Sequence, residues 1–155
     1  MKRGIRTMGL AIAFGIIAIL ALMAYVRLAP VDAAGLNASP SLYAWDHDGP
    51  WDVVSPMEGG ASLRLSTTKG APLDLLTKLD AIAMATPRTL RIAGSVHEGR
   101  ITWETRSLLW GFPDYTTAEV RPDGLYIHAR LRFGRSDLGV NATRLTDWAA
   151  RLSPP

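Results

Sequence analysis

Residues 125–133 have the sequence LYIHARLRF, which shows the clearest two-residue period in the chain. Apolar and polar side chains alternate along it, and successive side chains of a β-strand point to opposite faces of its sheet. The stretch therefore predicts a strand with one face toward an apolar core and one polar face. The polar face carries Tyr126, His128, Arg130 and Arg132.

Segments with the same period lie upstream, at residues 61–66, 89–96, 100–108 and 115–121. Two of the connections, His97-Glu98-Gly99 and Pro122-Asp123-Gly124, have hairpin length and end in a glycine, which suits a turn that needs positive φ. Together the segments predict an antiparallel sheet of about five strands.

Two other segments have helical spacing. Residues 72–85 place Leu75, Leu76 and Leu79 on one stripe, and residues 142–152 form a second helix for which Asn141 is the predicted N-cap. The element order predicts an α+β domain in which the two helices pack on one face of the sheet.

The N-terminal part is a predicted membrane anchor. Residues 7–26 are uncharged and mostly apolar, which is long enough for a helix to cross a hydrocarbon core of about 30 Å. Lys2, Arg3 and Arg6 precede this stretch and only Arg27 follows it closely, so the positive-inside rule places the N-terminus in the cytoplasm. A cleaved signal peptide is the alternative, and we favour the retained anchor because the apolar stretch is longer than a typical signal core.

The chain thus divides into a transmembrane anchor (1–27), a stalk and irregular lead-in (28–60) and an α+β globular domain (61–155). The Ala- and Arg-rich, Cys-free composition resembles that of Gram-negative proteins. We therefore predict a single-pass protein of the inner (cytoplasmic) membrane with its C-terminal domain in the periplasm.

Charge and cysteine content exclude some functions. The formal net charge is +3, but without the four basic residues that flank the apolar stretch, 13 basic residues face 14 acidic ones. The basicity is thus a topology signal, and nucleic acid is not a predicted partner. The absence of Cys excludes thiolate catalysis and zinc sites built on Cys, and no cofactor is predicted.

The segment WDHDGPWD, residues 45–52, concentrates carboxylates and one imidazole between two tryptophans. Such oxygens suit hard cations. The spacing of a calcium loop is missing, however, so we favour a solvated turn held by the two tryptophans and predict no metal site.

The C-terminal segment resembles a known family. Gly134, Ser136, Asp137, Gly139, Asn141 and Arg144 match the end of the pattern of the bacterial and plastid family called domain of unknown function 1499, and Asp114 matches the second residue of its Asp pair. The resemblance covers about residues 72–152. Pro113 replaces the first Asp of the pattern, and residues 128–132 keep only Arg132 of its serine-bearing run. The family supplies no activity.

Two functions of different class follow. The first is a non-catalytic module that binds an anionic ligand, a lipid headgroup or an envelope protein through the polar sheet face and the turn after it, since Arg forks suit carboxylate and phosphate groups. An ion-pair network on a solvated sheet face is the alternative for those charges. The second function is a hydrolase-like enzyme that uses Asp114, His128 and Asp137. The predicted ligand-binding residues are Arg130, Arg132, Arg135, Ser136, Asp137, Asn141, Asp114 and His128.

Overall fold

The alternating segments fold as strands and the helically spaced segments as helices. The structure is a computed structural model that describes residues 2–40 and 50–152. Its strands are β1 (Ser55–Met57), β2 (Gly60–Ser66), β3 (Thr89–Ser95), β4 (Arg100–Arg106), β5 (Pro113–Arg121) and β6 (Gly124–Leu131). Its helices are α1 (Lys2–Leu28), α2 (Ala33–Leu36), α3 (Pro72–Met84) and α4 (Val140–Leu152).

These six strands form one antiparallel sheet in the order β1-β2-β6-β5-β4-β3. The sequence predicts about five strands, and the additional one is β1, which lies in the predicted lead-in. With only three residues it is too short to show a period. It also contains Pro56, which is tolerated because β1 is an edge strand.

The core lies between the sheet and the two long helices of the domain. Leu76 and Leu79 of α3 and Trp148 of α4 are buried against the sheet residues Ile127 and Trp103. The rings of Trp103 and Trp148 meet edge to face with centroids 6.0 Å apart. Burial of side chains of this size contributes about 1.5–3 kcal/mol each. The prediction that two helices pack on one face is confirmed.

The opposite, polar face of the sheet is covered rather than solvated. Residues 29–40, which we call the cover segment, include α2 and lie across it. The Thr102 hydroxyl donates to Asn37 Oδ1 at 2.9 Å, and Arg130 donates to the Leu36 carbonyl at 2.8 Å. Thr102 and Thr117 are fully buried there. The polar side chains therefore bind backbone and side-chain oxygens of a segment far away in the sequence.

Helix α1 is the candidate membrane span. Its residues Thr7–Leu28 are long and apolar enough to cross a membrane, and a signal sequence near the N-terminus has the same properties. The end of α1 packs on the domain, since the rings of Tyr25 and Phe133 lie 6.3 Å apart. Arg132 also donates to the carbonyl of Pro30 at 2.6 Å.

Candidate functional site

A basic cleft of about 360 Å³ lies where the polar face of β6 meets the turn between β1 and β2. Gly59 has a φ of +67°, and a Cβ at Gly60 would lie 2.3 Å from the Ala129 carbonyl oxygen, so this turn requires glycine at both positions. The residues that line the basic cleft are Glu58, Gly59, Gly60, His128, Arg130, Leu131, Gly134 and Arg135.

The positive charge of the basic cleft comes from its two arginines. Burial, together with the charge of Arg130, lowers the pKa of His128 from 6.5 to about 4, so His128 is neutral at pH 7. The guanidinium of Arg130 already donates to the Leu36 carbonyl at 2.8 Å and to Thr117 Oγ1 at 3.3 Å, so its contribution to the basic cleft is mainly its charge. Arg135 is exposed, and no carboxylate of the described residues forms an ion pair with it.

This arrangement suits a small anion. A guanidinium presents a planar fork of donors that matches carboxylate and phosphate oxygens. Glu58 is the acidic residue of the lining, so its single negative charge faces the two positive charges of Arg130 and Arg135. The glycine backbone on the other wall allows a ligand to approach closely.

A second, acidic cleft of about 300 Å³ lies between the loop at residues 107–112 and the start of α4. Its lining combines polar side chains, among them two carboxylates, with apolar and aromatic side chains. The lining residues are Ser107, Trp110, Phe112, Asp114, Leu131, Phe133, Ser136, Asp137, Leu138 and Val140.

Asp137 organises the start of α4. Its carboxylate accepts hydrogen bonds from the backbone N–H groups of Asn141, at 2.9 Å, and Gly139, at 3.2 Å. The prediction that Asn141 caps α4 is wrong, because α4 already begins at Val140 and Asn141 lies in its first turn. Asp137 can satisfy these N–H groups with two oxygens, so the side chain of Asn141 turns inward. Asn141 is fully buried, and its Oδ1 accepts from Arg144 at 2.6 Å.

The two carboxylates of the acidic cleft have opposite pKa shifts. Burial raises the pKa of Asp114; Arg144, whose Nη2 lies 3.1 Å from Asp114 Oδ2, opposes this rise, and the negative charge of Asp137 adds to it. Burial alone would also raise the pKa of Asp137, but the hydrogen bonds from Asn141 and Gly139 hold it below its usual range. Asp137 is thus the more acidic of the two groups.

The structure divides the eight predicted ligand-binding residues. His128, Arg130 and Arg135 line the basic cleft, whereas Asp114, Ser136 and Asp137 line the acidic cleft. The other two residues, Asn141 and Arg132, line neither of these two clefts. Asn141 is buried within α4, and Arg132 binds the Pro30 carbonyl, the Tyr115 hydroxyl and the ring of Phe133.

The sheet separates the residues of the hydrolase-like alternative. Asp114 pairs with Leu131 and His128 pairs with Thr117 in the ladder between β5 and β6. Because alternate residues of a strand point to opposite faces, Asp114 lies on the helix-covered face and His128 on the other. Asp114, His128 and Asp137 therefore do not converge on one point.

Glutamates of the polar face form ion pairs with neighbouring arginines. Glu119 pairs with Arg100 and Arg121, and Glu104 pairs with Arg106. Burial would raise the pKa of Glu119, but hydrogen bonds from Ser39, Arg100 and Arg121 lower it.

The metal hypothesis for residues 45–52 falls mostly outside the described residues. Of that stretch, residues 50–52 are described: Asp52 accepts from the backbone N–H and hydroxyl of Ser66, and the ring of Trp51 packs edge to face on that of Tyr126 with centroids 5.8 Å apart.

The sequence did not predict the cover segment or the exposed apolar side chains beside the acidic cleft. One local signal for the cover segment was readable, because Asp32 accepts from the Gly35 N–H as an N-cap of α2. Beside the acidic cleft, Trp110 is exposed while Trp103 and Trp148 are buried. Nothing in the local pattern marks Leu138.

A family model described as protein of unknown function (DUF1499) matches residues 52–152. The chain belongs to the DUF1499 family. In this DUF1499 protein the matched region contains all strands described above together with α3 and α4, and both clefts lie within it. Helix α1 and the cover segment lie before it. Comparisons with curated proteins and with solved structures found no match.

The DUF1499 pattern residues act together around α4. Asp114 binds Arg144, Arg144 binds Asn141, and the backbone of Asn141 binds Asp137. Ser136 Oγ accepts from the Leu138 N–H at 3.3 Å, which fixes the same turn. These contacts attach the start of α4 and the turn before it to β5, and the DUF1499 pattern residues thereby shape the acidic cleft.

Proposed function

We propose that this DUF1499 protein is a membrane-anchored, non-catalytic binding module of the cell envelope whose basic cleft takes a small anionic ligand. The observation that carries the proposal is the convergence of Arg130 and Arg135 on one cleft with a neutral His128. The ligand chemistry is a carboxylate or a phosphate, to which Arg135 donates charge-assisted hydrogen bonds and which the positive charge of Arg130 attracts. A lipid headgroup supplies the same chemistry as a free phosphate ester, and a protein partner could supply it through a carboxylate.

The proposed location is the inner membrane, with the N-terminus in the cytoplasm and the domain in the periplasm. Three basic residues before the apolar stretch and one after it support this orientation. A fusion of alkaline phosphatase to the C-terminus, which is active only after export, should be active. An inactive fusion in a chain that is retained in the membrane would contradict the orientation.

The binding proposal is tested by thermal unfolding of the full chain in detergent with inorganic phosphate, glycerol phosphate and short dicarboxylates. A ligand at about 100 times its Kd stabilises the folded state by about 2.7 kcal/mol, which raises the unfolding midpoint by several degrees. Arg135→Ala should abolish the rise, because Arg135 has no ion pair of its own among the described residues.

Arg151→Ala is the matched control. Arg151 also carries an exposed guanidinium, in an ion pair with Asp147 on the far part of α4, and its loss should leave the ligand-induced rise intact. Glycerol phosphate and vesicles with anionic headgroups distinguish a soluble ester from a lipid. A rise that survives Arg135→Ala, or no rise with any of these anions, would remove the basic cleft as an anion site and favour a protein partner.

A further inference from the structure

Five large apolar side chains are exposed on one side of the acidic cleft. Leu108, Leu109 and Trp110 belong to the loop between β4 and β5, and they are 78%, 70% and 39% exposed. Leu138 and Val140 face this loop from the start of α4, and they are 92% and 51% exposed. We call these five residues the apolar rim. Contiguous apolar surface of this kind marks an interaction site rather than an ordinary protein surface.

The backbone holds Leu138 in an unfavourable state. Its φ is +54°, in the left-handed region that L-residues other than Gly, Asn and Asp rarely adopt. The turn is stabilised by the Ser136 hydroxyl, which accepts from the Leu138 N–H, and by the Asp137 carboxylate. A strained backbone that presents a leucine to solvent points to a role for that side chain outside the folded domain.

The apolar rim lies beside the exit of the candidate membrane helix. A Cβ at Gly111 would lie 2.7 Å from Arg27 Nε, so the last turn of α1 touches the loop that carries Trp110. Aromatic packing extends this contact, because the ring centroid of Phe133 lies 6.3 Å from the ring centroids of both Tyr25 and Phe112. The loop that carries Leu108, Leu109 and Trp110 therefore touches the end of α1.

We propose that the apolar rim inserts into the headgroup region of the same bilayer that α1 crosses. Arg27 follows the apolar part of α1 directly and belongs at the headgroup level, and the loop that packs against Arg27 must lie at nearly the same depth. Tryptophan favours this interface because its ring is apolar and its N–H is polar, and the leucines gain by leaving water. The occupant of the surface is thus lipid, and insertion places the mouth of the acidic cleft against the membrane.

The inference rests on the proposed anchor but not on the anion proposed for the basic cleft. Because the chain has no Cys, single nitroxide labels can be attached to introduced cysteines in the full chain. Nanodiscs that each hold one copy of the chain exclude coverage by a second copy. Collisions with oxygen, which is enriched in the bilayer, and with a water-soluble nickel complex then report the depth of each label.

Four label positions separate the outcomes. Ile16→Cys lies on the exposed surface of α1 and reports the anchor, whereas Leu109→Cys and Leu138→Cys report the apolar rim. His97→Cys is the control, because the turn between β3 and β4 lies at the far end of β4 from the loop at residues 107–112. Before the depth measurement, the unfolding midpoint of each labelled variant is compared with that of the unlabelled wild type, and the two should agree.

The labels at 109 and 138 should lose most of their collisions with the nickel complex and gain collisions with oxygen, while the label at 97 keeps its nickel collisions. If the label at 16 is in the bilayer but those at 109 and 138 behave like the label at 97, the inference is overturned and the anchor stands. If the label at 16 is itself in water, the anchor fails and the inference fails with it.

Discussion

Arg144 lies 3.1 Å from Asp114 and thereby joins α4 to β5. The two side chains are only 10% and 15% exposed, so water screens their charges weakly. The same guanidinium also donates to the buried Asn141, which places one arginine at the centre of the α4 attachment.

Replacement of Arg144 by Ala should destabilise the fold by on the order of 3 kcal/mol, because it leaves the Asp114 carboxylate partly buried without a counter-charge. The free energy of unfolding in detergent, from urea titration, measures this loss. Arg151→Ala breaks an exposed ion pair of the same helix and should change the free energy by less than about 1 kcal/mol. Equal effects of the two substitutions would contradict the role given to Arg144.

His128 should make stability depend on pH. Its pKa falls from 6.5 to about 4 on folding, so the folded chain binds fewer protons than the unfolded chain between these values. The free energy of unfolding should be highest above about pH 6.5 and decrease by about 3 kcal/mol as the pH falls to about 4. Measurement of unfolding at a series of pH values tests this slope.

The matched variants are His128→Gln and His97→Gln. His128→Gln should remove the slope between pH 6.5 and about 5, whereas the exposed His97 serves as the control and His97→Gln should keep it. Glu119 and Asp137, whose pKa values are lowered by folding, add to the loss of stability near and below their usual pKa values of 4.5 and 3.8, and Asp114, whose pKa is raised, opposes it; the comparison is therefore made above about pH 5. A slope that persists in His128→Gln would assign it to other groups.

Arg132 should hold the domain at a defined orientation to α1. Its guanidinium donates to the carbonyls of Ala29 and Pro30, directly beyond the end of that helix. Nitroxide labels at Leu22→Cys and Lys78→Cys report the distance between α1 and α3 by pulsed electron resonance. Arg132→Ala should broaden a narrow distance distribution, and Arg151→Ala should leave it narrow. An unchanged distribution in Arg132→Ala would show that other contacts suffice.

Leu138→Gly should stabilise the domain by about 1 kcal/mol, because glycine adopts the left-handed conformation without strain. Little packing is lost, since Leu138 is almost fully exposed. The neighbouring Gly139→Ala should have the opposite effect, as its φ is +80° and nothing lies within 4 Å of the added Cβ to compensate. Urea titration of both variants tests the sign. A destabilised Leu138→Gly would mean that Leu138 packs in the folded state.

The spacing of apolar residues predicted strand β6 and helix α3, because the geometry of a strand or helix fixes which residues share a face. In residues 125–133 apolar side chains recur at every second position, as the pleat of a strand requires, and the core residues Leu125, Ile127 and Ala129 are all buried. The stripe of Leu75, Leu76 and Leu79 predicted α3 in the same way. The start of α4 was predicted less well, because Asn141 and Asp137 both have oxygens able to bind N–H groups and only the folded turn selects between them.

The class of the fold, the core-facing side of the five predicted strands, the apolar N-terminal helix and the family all followed from the amino-acid sequence. These properties depend on residues a few positions apart, whose geometry within a strand or helix is known in advance. Only the tertiary structure decided that the polar face is covered and that the predicted site residues divide between two clefts. Arg130 reaches Leu36 across 94 residues and Arg132 reaches Ala29 across 103, and contacts between such distant segments follow from how the whole chain packs.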